Sequence, residues 1–174
     1  MKKREAEATG PIDLSLLNVL VVDDSHNIRK IVSEILRTMG VRNVKQSSSG
    51  VDAFEILKTS PMDLMILDLV MDQLDGIETA KLLRQGSDSP NRTLPIIMIT
   101  GHTVRSNVTK ARDAGVNEII AKPFTAQVLM DHVQRVMRSK REWIAIPSYT
   151  GPDRRRKTRP DYAGPFRRST DRTE

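Results

Sequence analysis

Along the first 138 residues, short unbroken apolar runs take turns with apolar positions spaced three and four apart. Residues 18–22 form one such run, rich in β-branched side chains, and predict a strand buried on both faces. Ser25 then stands as an N-cap. Ile28, Ile31, Val32, Ile35, Leu36 and Met39 follow at helical spacing until Gly40 stops the helix. The alternation repeats. Residues 44–47 predict a second strand, and 51–58 a helix with Ala53, Phe54 and Leu57 inward. Residues 64–67 predict a third strand, followed by a loop and a helix over 77–84. A fourth strand over 95–99 leads to a helix over 104–114, ended by Gly115. Residues 118–121 predict the fifth strand, and Thr125 caps a last helix reaching about Arg138.

Five short strands alternating with five helices indicate an α/β fold, a doubly wound parallel sheet with helices on both faces. Residues 1–15 are polar and aperiodic and read as a mobile leader. Residues 16–140 form the domain, and 141–174 an arginine-rich, flexible tail.

Composition narrows the class. Apolar residues make up 38% of the chain and aromatic ones 3%, so one core built from Leu, Ile, Val and Met is feasible and a second is not. Without cysteine, disulfides, thiolate metal sites and cysteine nucleophiles are excluded together. The basic start, Met1-Lys2-Lys3-Arg4, is followed by Glu5, Ala6, Glu7 and Thr9 where a signal peptide would be apolar. The apolar run at residues 16–22 is too short for a membrane span. These features predict a cytoplasmic protein without membrane insertion. The net charge of +6 is unevenly placed. Residues 1–137 hold 17 basic and 17 acidic side chains, and the remaining 11 basic and 5 acidic ones lie in residues 138–174.

Ligands of open α/β sheets sit beyond the carboxyl ends of the strands, so the residues found there are informative. Asp23 and Asp24 follow the first strand, Asp68 the third, Thr100 the fourth and Lys122-Pro123 the fifth. Three carboxylates at one edge repel one another, and a hard cation such as Mg²⁺ would relieve the repulsion. Lys122 adds a fixed positive charge and Thr100 a hydroxyl donor. No histidine accompanies a nucleophilic serine, which argues against acyl transfer. The set suits phosphoryl transfer, in which one carboxylate attacks while the cations and the hydroxyl hold the equatorial oxygens. Taken singly, each aspartate reads as an ordinary helix N-cap. Five such residues at the correct ends of four strands do not.

The segments Val-Val-Asp23-Asp24-Ser, Leu-Asp68-Leu-Val-Met-Asp-Gln-Leu-Asp-Gly76, Ile-Thr100-Gly and Ala-Lys122-Pro123-Phe124 resemble those of CheY-like receiver domains of two-component response regulators. The resemblance spans residues 16–138. It implies the flavodoxin-like strand order 2-1-3-4-5 and Asp68 as phospho-acceptor, charged from a histidine kinase or a histidine phosphotransfer protein. It further implies that Lys122 and Thr100 assist, that Asp24 and Asp68 hold Mg²⁺ with Asp23 acting through water, and that the Lys122–Pro123 bond is cis. A receiver assists its own phosphorylation without being a dedicated enzyme. Three positions depart from the pattern. Ile119 stands where an aromatic residue is common, Asp72 where a proline is common, and Val70 with His102 is not the flanking pair that most assists water attack. His102 also reads simply as a solvated loop residue.

The tail contains a repeat. Tyr149, Gly151, Pro152, Arg154 and Arg155 return 13 residues later as Tyr162, Gly164, Pro165, Arg167 and Arg168. Arg156 extends the first copy, and Asp153 is replaced by Phe166 in the second. Among the 11 basic residues here only Lys140 and Lys157 are lysines, a bias that suits bidentate and stacking recognition. Two copies of one motif suggest a ligand with two like halves. Arginine forks onto guanine O6 and N7 or onto phosphate, tyrosine stacks, and Asp153 can accept from the guanine amino edge. Cyclic di-GMP meets these demands as a regulatory ligand. The tail is also similar to the arginine-rich segment of the Cle family of cyclic di-GMP-binding CheY-like proteins, which implies action at the flagellar motor, through a motor switch protein, or in surface attachment. A guanine-reading acid in the second half-site would have to be Asp161 or Asp171. Weak nucleic-acid binding, disfavoured, and a solubility tail on a phosphate-sink or phosphorelay receiver remain the alternatives. The apolar stretch Trp143-Ile144-Ala145-Ile146 is expected to dock on the face of the fourth strand, fourth helix and fifth strand when ligand orders the tail.

Overall fold

The computed structural model describes residues 12–72, 74–101, 105–139, 141–146 and 148–154. The chain runs β1 (Asn18–Val22), α1 (His26–Thr38), β2 (Asn43–Ser47), α2 (Gly50–Thr59), β3 (Leu64–Asp68), α3 (Gly76–Gln85), β4 (Ile96–Thr100), α4 (Arg105–Asp113), β5 (Glu118–Ala121) and α5 (Ala126–Arg138). Two further strands follow, β6 (Trp143–Ile146) and β7 (Tyr149–Pro152). The first five strands form a parallel sheet in the order β2-β1-β3-β4-β5. The doubly wound reading therefore holds, strand order included.

Strand alternation divides the core. Leu20, Val22, Met65, Leu67, Ile96 and Met98 point to one face, where α2, α3 and α4 cover them with Ala53, Leu57, Ile77, Ala80, Leu83 and Ala111. Val19, Val21, Leu64, Ile66, Ile97 and Ile99 point to the other, covered by Val32 and Leu36 of α1 and Leu129 and Val133 of α5. All five residues of β3 and of β4 are buried, which is why those runs show no polar alternation.

The helix starts follow local chemistry. Ser25 accepts from the Ile28 amide, Ser49 from Asp52 and Thr125 from Val128. Asp75 and Glu78 form a reciprocal capping box at α3. The packed body begins before residue 16. Leu14 and Leu17 are buried beneath α1 and α5 side chains, with Ile12 packed against the same cluster, so the end of the supposed leader belongs to the core.

The larger departure is at the other end. Residues 143–146 and 149–152 are not part of a loose tail but pair as antiparallel strands, Trp143 with Pro152 and Ile146 with Tyr149. It seats at the amino end of β5, beside the close of α3. A Cβ on Gly151 would lie 2.8 Å from Gly115 Cα, and one on Gly115 2.8 Å from the Thr150 carbonyl oxygen. Gly115 also has φ +83°, so its lack of a side chain serves both the turn and the contact. Arg84, only 1% exposed, donates to the carbonyls of Gly115 (3.1 Å), Arg92 (2.8 Å) and Leu94 (2.7 Å), with its guanidinium 5.0 Å from the Trp143 ring centroid. Among the described residues, no helix is long and apolar enough to cross a membrane.

Candidate functional site

The site lies where the strand order reverses, between β1 and β3. Asp23 directly follows β1 and Asp68 ends β3, so adjacent strands deliver both carboxylates to one edge. Lys122 follows β5, two strands away, with its amide bonded to the Thr100 carbonyl at 2.7 Å. Its long side chain spans the distance. Lys122 Nζ donates to Asp68 Oδ1 at 2.6 Å and to Asp23 Oδ2 at 3.1 Å. The Lys122–Pro123 bond is cis.

The remaining carboxylate oxygens are held by backbone. Asp68 Oδ2 accepts from the Val70 amide at 3.0 Å, and Asp23 Oδ1 from the Ser25 amide at 2.8 Å. Arg29, which the sequence pattern did not single out, donates through Nη1 to the carbonyls of Asp23 (2.7 Å) and Asp24 (3.0 Å) and so fixes the turn after β1. Thr100 is buried at the end of β4. Val70 is largely exposed, and His102 lies outside the described residues.

Burial pushes the Asp68 carboxyl above its ordinary pKa, with Lys122 pulling the other way. Burial would lower Lys122, but Asp68 and Asp23 together hold its ammonium above its usual value. The centre is thus a largely buried cluster in which one ammonium serves two carboxylates.

The three aspartates do not close into one cluster. Asp24 is exposed, and among the described residues no three acidic or histidine side chains stand near enough to hold a metal ion together. Lys122 bridges Asp23 and Asp68 and offsets part of the repulsion that the sequence alone would assign to a cation, while Asp23 still raises the Asp68 pKa. The donor set still fits Mg²⁺, which binds through one or two carboxylates and keeps several waters, and a cation would relieve the cost of ionising buried Asp68.

Comparison with known proteins decides the family. Residues 19–134 match the model of the response regulator receiver domain. The chain belongs to this family. Over 120 residues the receiver is 34% identical to chemotaxis protein CheY-3 of Vibrio cholerae, covering 69% of this chain and 91% of that one. It is 32% identical over 120 residues to chemotaxis protein CheY of Pseudomonas aeruginosa, covering 69% and 95%. Among solved structures, Vibrio cholerae CheY4 superposes with a TM-score of 0.64 at 31% identity, covering 69% of this chain and 98% of that one. The receiver domain of a Pseudomonas aeruginosa sensor histidine kinase, solved with magnesium coordinated in its active-site cleft, gives 0.63 at 26% identity, covering 71% and 98%.

The receiver's C-terminal repeat divides between described and undescribed residues. Tyr149 is buried, and its hydroxyl donates to the Pro152 carbonyl at 2.6 Å. Gly151 and Pro152 are buried in the hairpin, so these three side the repeat with structure. Asp153 donates its amide to the Glu142 carbonyl at 2.8 Å. Arg154 lays its guanidinium 3.9 Å from the Tyr149 ring centroid and pairs with Asp113 at 3.1 Å. Arg155, Arg156, Tyr162, Gly164, Pro165, Arg167 and Arg168 lie outside the described residues, as do Asp161, Phe166 and Asp171.

Two groups anchoring the extension went unread in the sequence. Buried Glu118 pairs with Arg141 at 2.9 Å, Arg135 at 3.6 Å and His132 at 3.5 Å. Arg84 continues the inward spacing of Ile77 and Ala80 on α3, and Glu118 opens a strand that is otherwise apolar. A charge at a core position was the available signal in both cases.

Proposed function

We propose that this response regulator accepts a phosphoryl group on Asp68 from a phosphohistidine of a kinase or phosphotransfer protein, and binds cyclic di-GMP through its arginine repeat. The carrying observation is the Lys122 ammonium bridging Asp68 and Asp23. An Asp68 carboxylate oxygen attacks phosphorus, the bond from phosphorus to the donor imidazole nitrogen breaks, and that nitrogen keeps the electron pair. Lys122 stays beside the acceptor to offset the incoming charge, and the Thr100 hydroxyl donates to a phosphoryl oxygen. Asp68 and Asp24, with Asp23 acting through water, would hold Mg²⁺, which would supply further charge neutralisation.

For the second ligand, Arg154 supports the reading: its guanidinium carbon lies 3.9 Å from the Tyr149 ring centroid, a contact of the kind arginine makes with aromatic faces. Output is contact with another protein in the cytoplasm, at the flagellar motor switch or in surface attachment.

The phosphoryl reading is tested by incubation with acetyl phosphate and Mg²⁺, followed by intact mass measurement. A single phosphoryl adduct is expected, lost in Asp68→Asn and on chelation of Mg²⁺. An adduct that survives Asp68→Asn would sink the assignment. Titration calorimetry with cyclic di-GMP, on the full chain and on Arg154→Ala/Arg155→Ala, tests the other half. Absence of saturable heat from the full chain would leave a receiver acting as phosphate sink or relay.

A further inference from the structure

Between α4, β5 and the docked hairpin runs a cleft of about 310 Å³. Its walls combine two chemistries. Val108, Val116 and Ile119 supply an apolar floor, while Arg112, Arg141 and Arg154 bring guanidinium groups to its lining. These arginines come from three parts of the chain: α4, the α5–β6 connection and the end of β7. Only the folding of the extension back onto the receiver assembles them.

The charges are organised by two carboxylates. Asp113 Oδ1 accepts from Arg112 Nη2 at 3.4 Å and from Arg154 Nη1 at 3.1 Å, so one oxygen holds two guanidinium groups at the rim. Glu118 positions Arg141 at 2.9 Å. Three guanidinium groups thus share two carboxylates, leaving an excess of positive charge around an apolar slot. Arg154 Nε is buried and meets no acceptor among the described residues. A buried donor of this kind is worth satisfying. A flat aromatic body bedded on aliphatic side chains, with an anionic group meeting the arginines, matches both features.

We propose that this cleft is the seat of one guanine nucleotide half of cyclic di-GMP, built jointly by the receiver's α4–β5 face and by Tyr149, Pro152 and Arg154 of the extension. The inference rests on the cyclic di-GMP reading of the tail and moves part of that site onto the receiver itself. The volume lies at the small end of ligand pockets, roughly 300 Å³ upward, and suits one nucleotide rather than the whole cyclic dimer. The base lies on Val108 and Ile119, and Arg112 and Arg154 take the phosphate. The site places Ala121, which also lines the cleft, one residue before Lys122, so ligand and phospho-acceptor centre share β5.

The experiment is calorimetric titration of cyclic di-GMP into the full chain and into Arg112→Ala and Val108→Trp, with methyl NMR of the same proteins. Both substituted side chains are exposed on α4, and the melting temperature of each variant checks that it folds. Binding weakened by about tenfold or more in both variants is expected, the loss of one charge-assisted contact or of the slot itself. Ligand-induced shifts of the Val108, Val116 and Ile119 methyls accompany it, and guanosine monophosphate at higher concentration moves the same methyls. If the full chain binds, and Arg154→Ala/Arg155→Ala does not, while the α4 variants bind as tightly as the parent and the methyls stay still, the cleft is overturned and the tail reading stands. If the full chain itself fails to bind, both fall.

Discussion

The guanidinium of Arg84 lies 5.0 Å from the ring centroid of Trp143, joining the end of α3 to the first strand of the C-terminal hairpin. Burial draws the Arg84 pKa down to about 10, leaving it charged at neutral pH. Its three carbonyl partners carry that charge, and among the described residues no carboxylate pairs with it. Arg84→Met leaves those carbonyls without a donor and should cost about 3 kcal/mol of stability. Arg84→Lys should restore only part, since an ammonium cannot reproduce the planar fork. Trp143 is the only tryptophan, so its fluorescence emission checks the hairpin directly and should shift to the red in Arg84→Met.

Gly151→Ala tests the backbone contact from the other side. Its Cβ would meet the Tyr149 hydroxyl at 2.6 Å and Gly115 Cα at 2.8 Å, and the second of these is main chain. The hairpin should lose its seat, with a cost of about 1–3 kcal/mol by thermal or urea unfolding. Intact phosphorylation of Asp68 in the same variant would show that the damage stays local.

Lys122→Met should destabilise the receiver in a pH-dependent way. Burial raises the folded-state pKa of Asp68, so this group's contribution to stability is fully present below the ordinary carboxylate pKa and lost as pH rises through the raised one. Without Lys122 the downward pull on Asp68 disappears while burial and Asp23 remain, and the raised value climbs further. At neutral pH the variant should be less stable by about 1–3 kcal/mol, and the gap should narrow toward about pH 5. Urea unfolding at both pH values measures it, and a gap independent of pH would rule out this account.

Glu118→Ala removes the common partner of Arg141, Arg135 and His132 from a buried position. Arg141, mostly buried, would lose its buried carboxylate partner at a cost of about 3–5 kcal/mol, whereas half-exposed Arg135 would lose little. The loss should show in thermal unfolding and should vary little with added salt, because Glu118 is shielded from solvent. Full stability in the variant would show that the network contributes nothing.

Most of the receiver was legible in the chain because its signals are local. Residues 18–22 and 64–67 declare buried strands by unbroken apolar character, and Ser25 and Thr125 declare helix starts by their side-chain oxygens. The site was legible for a related reason: parallel strands deliver whatever follows them to one edge, so Asp23, Asp68, Thr100 and Lys122 could be grouped without knowing any distance. The hairpin was not legible. Trp143 to Ile146 is apolar but short, and its partner strand holds Gly151 and Pro152, which argue against a strand in isolation.

The sequence by itself determined the alternation of elements, the core alphabet and the identity of the groups at the sheet edge, because periodicity, capping and the fixed direction of parallel strands act over a few residues. Only the tertiary structure decided that Lys122 bridges Asp23 and Asp68 while Asp24 stays exposed, since that depends on how far a side chain reaches across neighbouring strands. It also decided that Tyr149 and Gly151 serve packing whereas Arg154 meets Asp113. The chain must fold back on α3 and α4 before residues 36 positions apart, Gly115 and Gly151, can exclude each other's side chains.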